Sequence, residues 1–241
     1  MTPYRETLYE RYASTQACRE SGPSLPNFRR QAQYLSCLLK DYLPQDKTTP
    51  CLDLGCGAGN FLFFLKSAGF QDILGVDISP EQVGRAHELS LPAVHDDLFA
   101  FLKSSDRKYG LISAIDLIEH LTKEEVVQLL NLVREALLPG GLFMARSPNG
   151  GSPLAGGVCY GDFTHETILT PNSATQLLLT AGFREVRCFE QKPLPIGLIA
   201  SIRSLLWPII RMGYKFLHGV ETGGFGQTVM TQVFWIAASK P

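Results

Sequence analysis

The stretch from Cys51 to Asn60, with the sequence CLDLGCGAGN, constrains the fold more than any other part of the chain. Its opening CLDL is a short, mostly apolar run of the length expected for a buried strand. Glycine then occupies every second position, and an apolar run over 61–65 begins a helix. A strand, a glycine turn and a helix form the opening unit of an open α/β sheet, and ligands bind in the crevice at such a turn.

The order of the acid and the glycines in this turn separates two kinds of nucleotide ligand. A dinucleotide-binding turn has a third glycine where this chain has Asn60. The observed pattern, Asp-x-Gly-x-Gly-x-Gly from position 53, resembles the first motif of the class I S-adenosylmethionine (SAM)-dependent methyltransferases. An acid just before the glycines suits a cationic ligand and can also brace the turn. The resemblance implies that SAM is the cofactor and that it contacts Asp53, Gly55, Cys56, Gly57 and Gly59.

A second acid ends the next predicted strand, over 73–77. Asp77 lies 24 residues after Asp53, near the offset of about 20 residues at which a carboxylate binds ribose hydroxyls in this kind of fold. The alternative is that Asp77 caps the following helix, which the Ser-Pro pair at 79–80 begins. We predict that Asp77 and Ile78 contact the cofactor.

Two adjacent acids follow the third predicted strand, over 93–95. The methyltransferase resemblance implies that an acid here meets the amino group of adenine, and Asp97, just before the apolar Leu98, matches this position better than Asp96. Either acid can instead cap the helix that follows. We therefore predict Asp97 and Leu98 as cofactor contacts, with Asp116 as a further contact at the end of the fourth strand.

The segment after the fourth strand, DLIEHL over 116–121, extends the resemblance. It is similar to the Asp-x-x-Glu-His-Leu stretch of small-molecule methyltransferases, including those related to the ubiquinone-pathway O-methyltransferase. The run LLPGG over 137–141, followed by Pro-Asn at 148–149, resembles the same group. Strands that alternate with helices imply a largely parallel sheet. The resemblance implies a Rossmann-like, doubly wound α/β sheet of seven strands, mostly parallel with the last strand antiparallel.

Methyl transfer from a sulfonium needs an aligned acceptor and a group that removes the acceptor's proton. His165 is the first candidate for this base, because it lies in a Gly-rich loop over 150–169, and loops of this length are often functional. Ubiquinone-type methyltransferases carry a similar Thr-His pair; the alternative is a histidine that only bonds the loop backbone. Glu119 and His120 are the next candidates, although these two side chains can also form a purely structural pair. The spacing of histidines and acids is not typical of metal ligands, so we expect no metal site.

The sequence divides into an N-terminal helical lid, 1–47, and a SAM-dependent methyltransferase domain, 48–241. Apolar spacing predicts lid helices over 4–17 and 27–43, which either lie across the cofactor mouth or pack on the edge of the sheet. The methyltransferase resemblance covers about 48–191 and 227–240, with the last strand predicted over 227–238 from alternating apolar residues. The segment between them, 192–224, is a predicted helical insertion.

The insertion contains an amphipathic stretch over 196–218. On a helix, its apolar side chains fall on one side and Arg203, Arg211 and Lys215 on the other, and Pro208 is expected to kink or split the helix. A basic face beside an apolar face is what an interfacial membrane helix needs. The alternatives are a cap over the active site or the surface of a homodimer, since most amphipathic helices in globular proteins pack against protein.

Net charge and cysteine content indicate the partners and the compartment of the protein. The net charge of -1 argues against a general attraction to nucleic acid. Six cysteines without a C-x-x-C pair favour reduced thiols and a cytoplasmic protein, peripheral to the inner face of a membrane if the insertion binds lipid.

The sequence predicts methyl transfer from SAM to a small molecule, by O-methylation of a sugar, a glycan precursor, or a lipid-like or quinone-type hydroxyl. The sugar class follows from a resemblance of the N-terminal piece and the GDFTH segment at 161–165 to bacterial glycan-associated methyltransferases. The alternative is a non-catalytic adaptor of the same fold, at a membrane or in a protein complex. A nicotinamide oxidoreductase is disfavoured by Asn60 and by the register of Asp53.

Overall fold

A computed structural model of the protein describes residues 24–224, 226 and 229–241. The predicted helix over 4–17 lies outside the described residues. In chain order, the strands are β1 Cys51–Leu54, β2 Ile73–Asp77, β3 Ala93–His95, β4 Tyr109–Ile115, β5 Leu137–Pro148, β6 Arg184–Glu190 and β7 Val233–Ser239. The helices are α1 Leu25–Leu38, α2 Asn60–Ser67, α3 Pro80–Glu88, α4 Leu98–Ser104, α5 Lys123–Ala136, α6 Gly156–Cys159, α7 Pro171–Thr180 and α8 Leu198–Thr222. A 3-10 turn, Ile118–His120, lies between β4 and α5.

The strands form one seven-stranded sheet in the order β3-β2-β1-β4-β5-β7-β6. β1 pairs in parallel with both β2 and β4, and β5 continues the parallel part beside β4. β7 runs antiparallel to both of its neighbours, β5 and β6. The predicted Rossmann-like, doubly wound architecture is confirmed. Because the strand order reverses beside β1, a crevice opens at the carboxyl ends of β1 and β4.

Helices cover both faces of the sheet, which explains why its central strands β1 and β4 are mostly apolar rather than alternating. Residues of α1, α2 and α3 join one buried apolar cluster, and residues of α4, α5 and α7 join the other. Every residue of β1 is buried between these two layers. The buried stripe of α5 shows the spacing of three and four residues expected of a helix packed on a sheet; it consists of Val126, Leu129, Leu130, Val133 and Ala136.

Side-chain caps fix where the helices around the crevice begin. Thr122 starts α5 with a capping box, in which the Thr122 hydroxyl accepts from the Glu125 amide at 3.3 Å and the Glu125 carboxylate accepts from the Thr122 amide at 2.8 Å. The Ser79 hydroxyl accepts from the Gln82 amide at the start of α3. Each cap fixes the start of a helix that follows one of the acids at the strand ends, Asp77 before α3 and Asp116 before α5.

Several predicted boundaries are wrong. Proline and glycine at 139–141 predict the end of the preceding helix and a fifth strand over 142–145, but β5 begins at Leu137 and contains this Pro-Gly-Gly segment. β7 begins at Val233, and the described residues before it, 229–232, are not part of the strand. The Asn149 side-chain amide donates to the carbonyls of Val229 and Thr231 at 3.2 and 3.0 Å and holds these residues in a loop. α1 ends at Leu38 rather than at 43, and the loop over 150–169 contains the short helix α6.

α1 is the helix within the described part of the predicted lid, residues 24–47. Phe28 and Leu35 are buried, and the Phe28 ring meets the Phe63 ring of α2 edge-on, with centroids 5.6 Å apart. The Tyr34 hydroxyl donates to the Lys192 carbonyl at 2.8 Å, which ties α1 to the start of the insertion. α1 therefore contacts both the helix layer and the insertion, and its action as a lid stays a prediction.

α8 is amphipathic in the opposite sense from an ordinary surface helix. Its polar side faces the protein, where Trp207 Nε1 donates to the Glu190 carboxylate at 3.2 Å and Arg211 pairs with the same carboxylate at 3.4 Å. No residue of α8 is buried, and the helix continues through Pro208 without being split. Its exposed apolar residues are Leu198, Ile199, Ile202, Leu205, Leu206, Ile209, Ile210, Met212, Phe216, Leu217 and Val220. Even so, no helix in the described part of the chain is both long enough and apolar enough to cross a membrane.

Candidate active site

The glycine turn after β1 combines close packing with open space. Gly55, Gly57 and Gly59 have φ values of 65°, 53° and 87°, a region that side chains disfavour. A Cβ at Gly59 would lie 2.6 Å from Leu91, and one at Gly55 would lie 2.9 Å from Leu117. A Cβ at Gly57 would meet nothing within 4 Å. The first and third glycines therefore serve packing, and Gly57 leaves its backbone open to a ligand.

Asp77 connects this turn to the end of β2. One carboxylate oxygen accepts from the Gly57 amide and the other from the Ser79 amide, each at 2.8 Å. Burial raises the pKa of Asp77, and these two amide hydrogen bonds act in the opposite direction. Each carboxylate oxygen has a second lone pair, so Asp77 can still accept from ribose hydroxyls. Asp77 thus braces the glycine turn and the approach to α3, whereas Ser79 is the N-cap of that helix. Its contact with the ribose hydroxyls stays a prediction.

Asp53 is a buried carboxylate in the middle of β1, with 1% of its surface exposed. The Ser113 hydroxyl of β4 donates to it at 2.6 Å. Burial raises the pKa of Asp53 to about 7, with a further increase from the charge of Asp77, while the Ser113 hydrogen bond lowers it. A buried acid with this pKa favours a cationic neighbour, because the cation restores the ionised form.

A cavity of about 1320 Å³ opens over the carboxyl ends of β1 and β4. It exceeds the volume of about 300–1,000 Å³ that is usual for small-molecule sites, so it has room for a cofactor and an acceptor together. Five of the predicted cofactor contacts line it: Asp53, Gly55, Cys56, Gly57 and Asp116. The other predicted contacts, Gly59, Asp77, Ile78, Asp97 and Leu98, lie outside this lining. Side chains of α1 and the start of α8 complete the wall.

Asp97 is exposed and begins α4. Its carboxylate accepts from the amides of Phe99 and Ala100 at 3.0 and 2.9 Å, so it is the N-cap of this helix. Asp96 accepts from the amide of Asp97. Capping, the alternative left open by the sequence, is therefore what the structure shows for Asp97, and its contact with adenine stays a prediction.

Asp116 and Arg146 form an ion pair that sequence analysis missed. Arg146 Nε donates to one oxygen of Asp116 at 2.8 Å, and its Nη2 donates to the other. Burial lowers the pKa of Arg146, but the charge and hydrogen bonds of Asp116 raise it by more, so the pKa lies above its ordinary value. The guanidinium lies 5.7 Å from the centre of the Trp235 ring. A charged residue inside the apolar strand FMARSP was the available signal, and it places a permanent cation in the cavity wall.

The three predicted catalytic residues lie together beside this ion pair, outside the lining of the cavity. The His120 and His165 rings have centroids 4.9 Å apart. Glu119 is 1% exposed, and burial raises its pKa well above the ordinary value, with the charge of Asp116 adding to the increase. Burial and the charge of His165 lower the pKa of His120 to about 4. The structure thus brings His165 beside Glu119 and His120, which lie 45 or more positions earlier in the chain.

Hydrogen bonds from one loop orient both imidazoles. His165 Nδ1 lies 2.9 Å from the carbonyl of Cys159, and His120 Nδ1 lies 2.8 Å from the Thr164 hydroxyl. That hydroxyl donates to the Asp162 carboxylate at 2.7 Å. The loop interpretation of His165, a ring bonded to backbone, is therefore correct for one of its nitrogens.

A model described as "Methyltransferase domain" matches residues 28–187, well over half of the chain. The chain belongs to the methyltransferase-domain family. The match begins within α1 and ends in β6, so it contains the glycine turn, the Asp116–Arg146 pair and the cluster of Glu119 with the two histidines.

Individual relatives agree with this assignment. The 2-methyl-6-phytyl-1,4-hydroquinone methyltransferase of Synechocystis sp. is 34% identical over 117 residues, which cover 45% of this chain and only 34% of that relative. A SAM-dependent methyltransferase from Archaeoglobus fulgidus aligns with a TM-score of 0.64 and 27% identity over 89% of this chain and 96% of the other. Phosphoethanolamine N-methyltransferase 2 of Haemonchus contortus, solved with SAM, aligns at 0.58 and 17% identity over 87% of this chain and 52% of the other, which shows the fold alone.

The family and the fold make SAM the cofactor of this domain and methyl transfer its chemistry. The predictions of a SAM-dependent methyltransferase and of its cofactor are confirmed. The residues of the crevice fit this cofactor, since an open glycine backbone and a buried acid in need of a cation lie at the same end of the sheet.

Proposed function

We propose that the protein transfers the methyl group of SAM to a hydroxyl of a small, lipid-like acceptor of the quinone or phenol type. The observation that carries this proposal is the cavity, which extends from the glycine turn, past Asp116 and Arg146, to the apolar start of α8. One cavity of about 1320 Å³ then holds donor and acceptor side by side. SAM supplies an activated methyl group, so the protein mainly has to align the two molecules.

The cofactor end of the cavity has defined tasks for its residues. Gly57 offers its open backbone, and Asp77 holds the turn and accepts from the ribose hydroxyls. Asp53 faces the positive charge of the cofactor, with Gly55, Cys56 and Asp116 in the surrounding wall. Asp97, Ile78 and Leu98 are assigned to the adenine end, by extension of the family pattern.

The acceptor end of the cavity favours an apolar molecule. Leu194, Ile196, Leu198 and Ile199 line it, beside the side chain of Arg203. A hydroxyl on an apolar ring or tail would place its tail against these residues and its oxygen towards Arg146. The match to a hydroquinone methyltransferase supports the same class of acceptor. A sugar or glycan precursor would instead place its hydroxyls against these apolar side chains without hydrogen-bond partners, which is unfavourable.

Glu119, His120 and His165 are proposed to handle the acceptor's proton. They lie next to Asp116, whose charge acts on both Glu119 and His120. A buried carboxylate with a raised pKa and two oriented imidazoles are suitable groups for acid–base catalysis. His165 stays the first candidate, with His120 and Glu119 next.

Contact with a membrane surface completes the proposal. α8 turns its apolar side away from the protein, and its first residues line the mouth of the cavity. A helix that lies in the interface, with lipid on its apolar side and the protein body on its polar side, has this arrangement. A lipid-dissolved acceptor could then enter the cavity beside α8. Arg211 is paired with Glu190, so the apolar side chains rather than this arginine are proposed to supply the binding.

Labelled SAM and a panel of acceptors test the proposed reaction. We expect methyl transfer to hydroquinones and phenols with isoprenoid tails, and none to sugar nucleotides or lipid-linked saccharides. Asp77→Ala serves as the control with an impaired cofactor site. Transfer to saccharides alone would overturn the acceptor class. SAM binding without transfer to any member of the panel would favour the adaptor hypothesis instead.

A further inference from the structure

The cluster of Glu119, His120 and His165 has the composition of a metal site. One carboxylate oxygen and one nitrogen from each imidazole lie within 4.8 Å of one another. The sequence predicts no metal site, since its histidines and acids lack the spacing of metal ligands; His120 and His165 are 45 positions apart. The chain brings them together by placing the turn after β4 against the loop after β5, where the amides of Glu166 and Thr167 donate to the Glu119 carbonyl at 2.7 and 3.1 Å.

The carboxylate of Glu119 provides an independent observation. The side chain is 1% exposed, and its Oε2 meets no donor in hydrogen-bond geometry among the described residues. The nearby Ser147 hydroxyl lowers the pKa of Glu119, but its own Oγ is likewise without a partner in that geometry. An unpaired carboxylate oxygen in a protein interior is costly unless a cation or a hydrogen-bond donor satisfies it. A metal ion between Glu119 and the two histidines would satisfy it.

The hydrogen bonds of the histidines also prepare a metal site. A carbonyl can only accept, so His165 must donate from Nδ1 to Cys159. The Thr164 hydroxyl gives its proton to Asp162 and therefore accepts from His120 Nδ1. In the neutral form, each ring then carries its lone pair on Nε2. Metal-binding histidines commonly have this arrangement, with the second ring nitrogen donating to an oxygen of the protein.

We propose that Glu119, His120 and His165 bind a divalent transition-metal ion, with Zn²⁺ as the preferred ion. Two imidazoles and one carboxylate match the three protein ligands of open zinc sites, and imidazole nitrogen selects such ions over Mg²⁺. Bonds of about 2.0–2.2 Å place tetrahedral ligand atoms about 3.3 Å apart, so metal binding draws the three side chains inward from their present positions.

Three protein ligands leave a coordination position open. Asp116 lines the cavity, and the 3-10 turn that carries Glu119 and His120 follows it closely in the chain, so the site lies beside the cavity wall. The ion would bind the acceptor's hydroxyl oxygen there and lower the pKa of that hydroxyl, so that its proton is released to water. With the ion bound, the two histidines would assist loss of the acceptor's proton as metal ligands; in the metal-free protein His165 stays the proposed base. This role rests on the proposed function, whereas binding of the ion does not.

Metal titrations of the intact chain test the proposal. Protein stripped with a chelator is titrated with Zn²⁺ against a chromogenic competitor, and with Co²⁺ followed by its visible absorption. We expect one ion per chain, unaffected by excess Mg²⁺. His165→Ala, His120→Ala and the isosteric Glu119→Gln should each weaken Zn²⁺ binding at least tenfold, whereas His87→Ala, on an exposed helix position, should not.

Thr164→Val distinguishes a preorganised metal site from non-specific binding of Zn²⁺ by histidines. This variant keeps all three ligands but removes the acceptor of His120 Nδ1, so it should weaken Zn²⁺ binding about 10–100-fold. SAM-dependent thermal stabilisation, measured on every variant, reports whether the cofactor domain is folded. Unchanged Zn²⁺ affinity in His165→Ala or Glu119→Gln, or no binding by the wild-type chain, would overturn the metal site. If SAM still binds in those cases, the metal site is wrong and the proposed methyl transfer is unaffected. If Zn²⁺ binds as expected but no acceptor is methylated, the metal site stands and the proposed function is wrong.

Discussion

Asp77 is the residue on which the order of the cofactor turn depends most directly. It accepts from the Gly57 amide and the Ser79 amide, and so joins the glycine turn to the start of α3. A charged hydrogen bond contributes about 1.5–3 kcal/mol. A single carboxylate therefore affects the position of the turn and its affinity for the cofactor.

Replacement of this carboxylate should weaken cofactor binding. In Asp77→Ala, loss of the ribose contacts and of the Gly57 hydrogen bond should raise the Kd for SAM at least about tenfold, equivalent to about 1.4 kcal/mol. Isothermal titration calorimetry measures the change, and Asp106→Ala, an exposed acid remote from the turn, is the matched control. A folded Asp77→Ala protein with the wild-type Kd would remove Asp77 from the site.

Asp53 should make stability depend on pH in a recognisable way. Its pKa is raised from an ordinary 3.8 to about 7, so the folded protein binds this proton more tightly than the unfolded chain. The stability it contributes is complete below about pH 4 and is lost as the pH rises to about 7. Asn cannot ionise, and Asp53→Asn should therefore gain stability relative to wild type over this range, by at most about 4 kcal/mol, from about three pKa units at about 1.4 kcal/mol each.

Urea unfolding at several pH values measures this difference. Comparison of wild type with Asp53→Asn cancels the contribution of His120, whose lowered pKa has the opposite effect. Asp106→Asn should show no such trend. A constant difference between pH 4 and pH 8 would mean that Asp53 ionises normally in the folded protein.

At the scale of elements, α8 differs most from what its sequence suggests. Amphipathic spacing is satisfied in most helices by burial of the apolar side. Here Glu190, at the end of β6, binds Trp207 and Arg211 and turns the polar side inwards. The apolar side is left exposed along the whole helix.

Charged substitutions on that side test its proposed contact with lipid. Leu205→Glu combined with Ile209→Glu should abolish co-sedimentation with liposomes, because both side chains are exposed on the apolar face. Leu179→Glu changes an exposed leucine of α7 and should leave binding intact. Analytical ultracentrifugation without liposomes gives the oligomeric state. If the wild-type chain is a dimer and the double variant is a monomer, the apolar face is a dimer surface instead.

At the scale of the whole molecule, the doubly wound sheet brings the cofactor residues to one end. Asp53, Asp77 and Asp116 belong to three different strands or strand ends, which lie side by side in the order β2-β1-β4. Cofactor binding should therefore stabilise the global fold rather than a single loop.

Thermal unfolding measures this coupling. SAM or S-adenosylhomocysteine at 100 times its Kd should add about 2.7 kcal/mol, which raises the Tm by about 5–10 °C for a chain of this size. NAD at the same concentration should produce no shift, because the turn lacks the third glycine of dinucleotide sites. Stabilisation by NAD alone would contradict the assignment of the cofactor.

Local sequence determined the parts of the molecule that depend on neighbouring residues. The motif from 51 to 60, the Ser79 and Thr122 caps and the apolar spacing of α5 each reflect interactions over a few residues, so strand, turn and helix could be predicted from them. The largely parallel sheet followed from alternation of these units, and the seven strands with an antiparallel last strand followed from resemblance to a family, whereas the strand order came from the structure. Boundaries were less accurate where a distant side chain intervenes, as Asn149 does before β7.

Tertiary structure alone decided which distant groups meet. The pairing of Asp116 with Arg146, the approach of His165 to Glu119 and His120, and the inward turn of the polar side of α8 each join residues that no local spacing connects. Such contacts depend on the register of β4 with β5 and on the path of the loop after β5. The sequence by itself therefore indicated the fold and the cofactor, through local motifs and through the resemblance of those motifs to a family. The cluster beside the cavity and the exposed face of α8 arise from long-range packing, which those patterns do not contain.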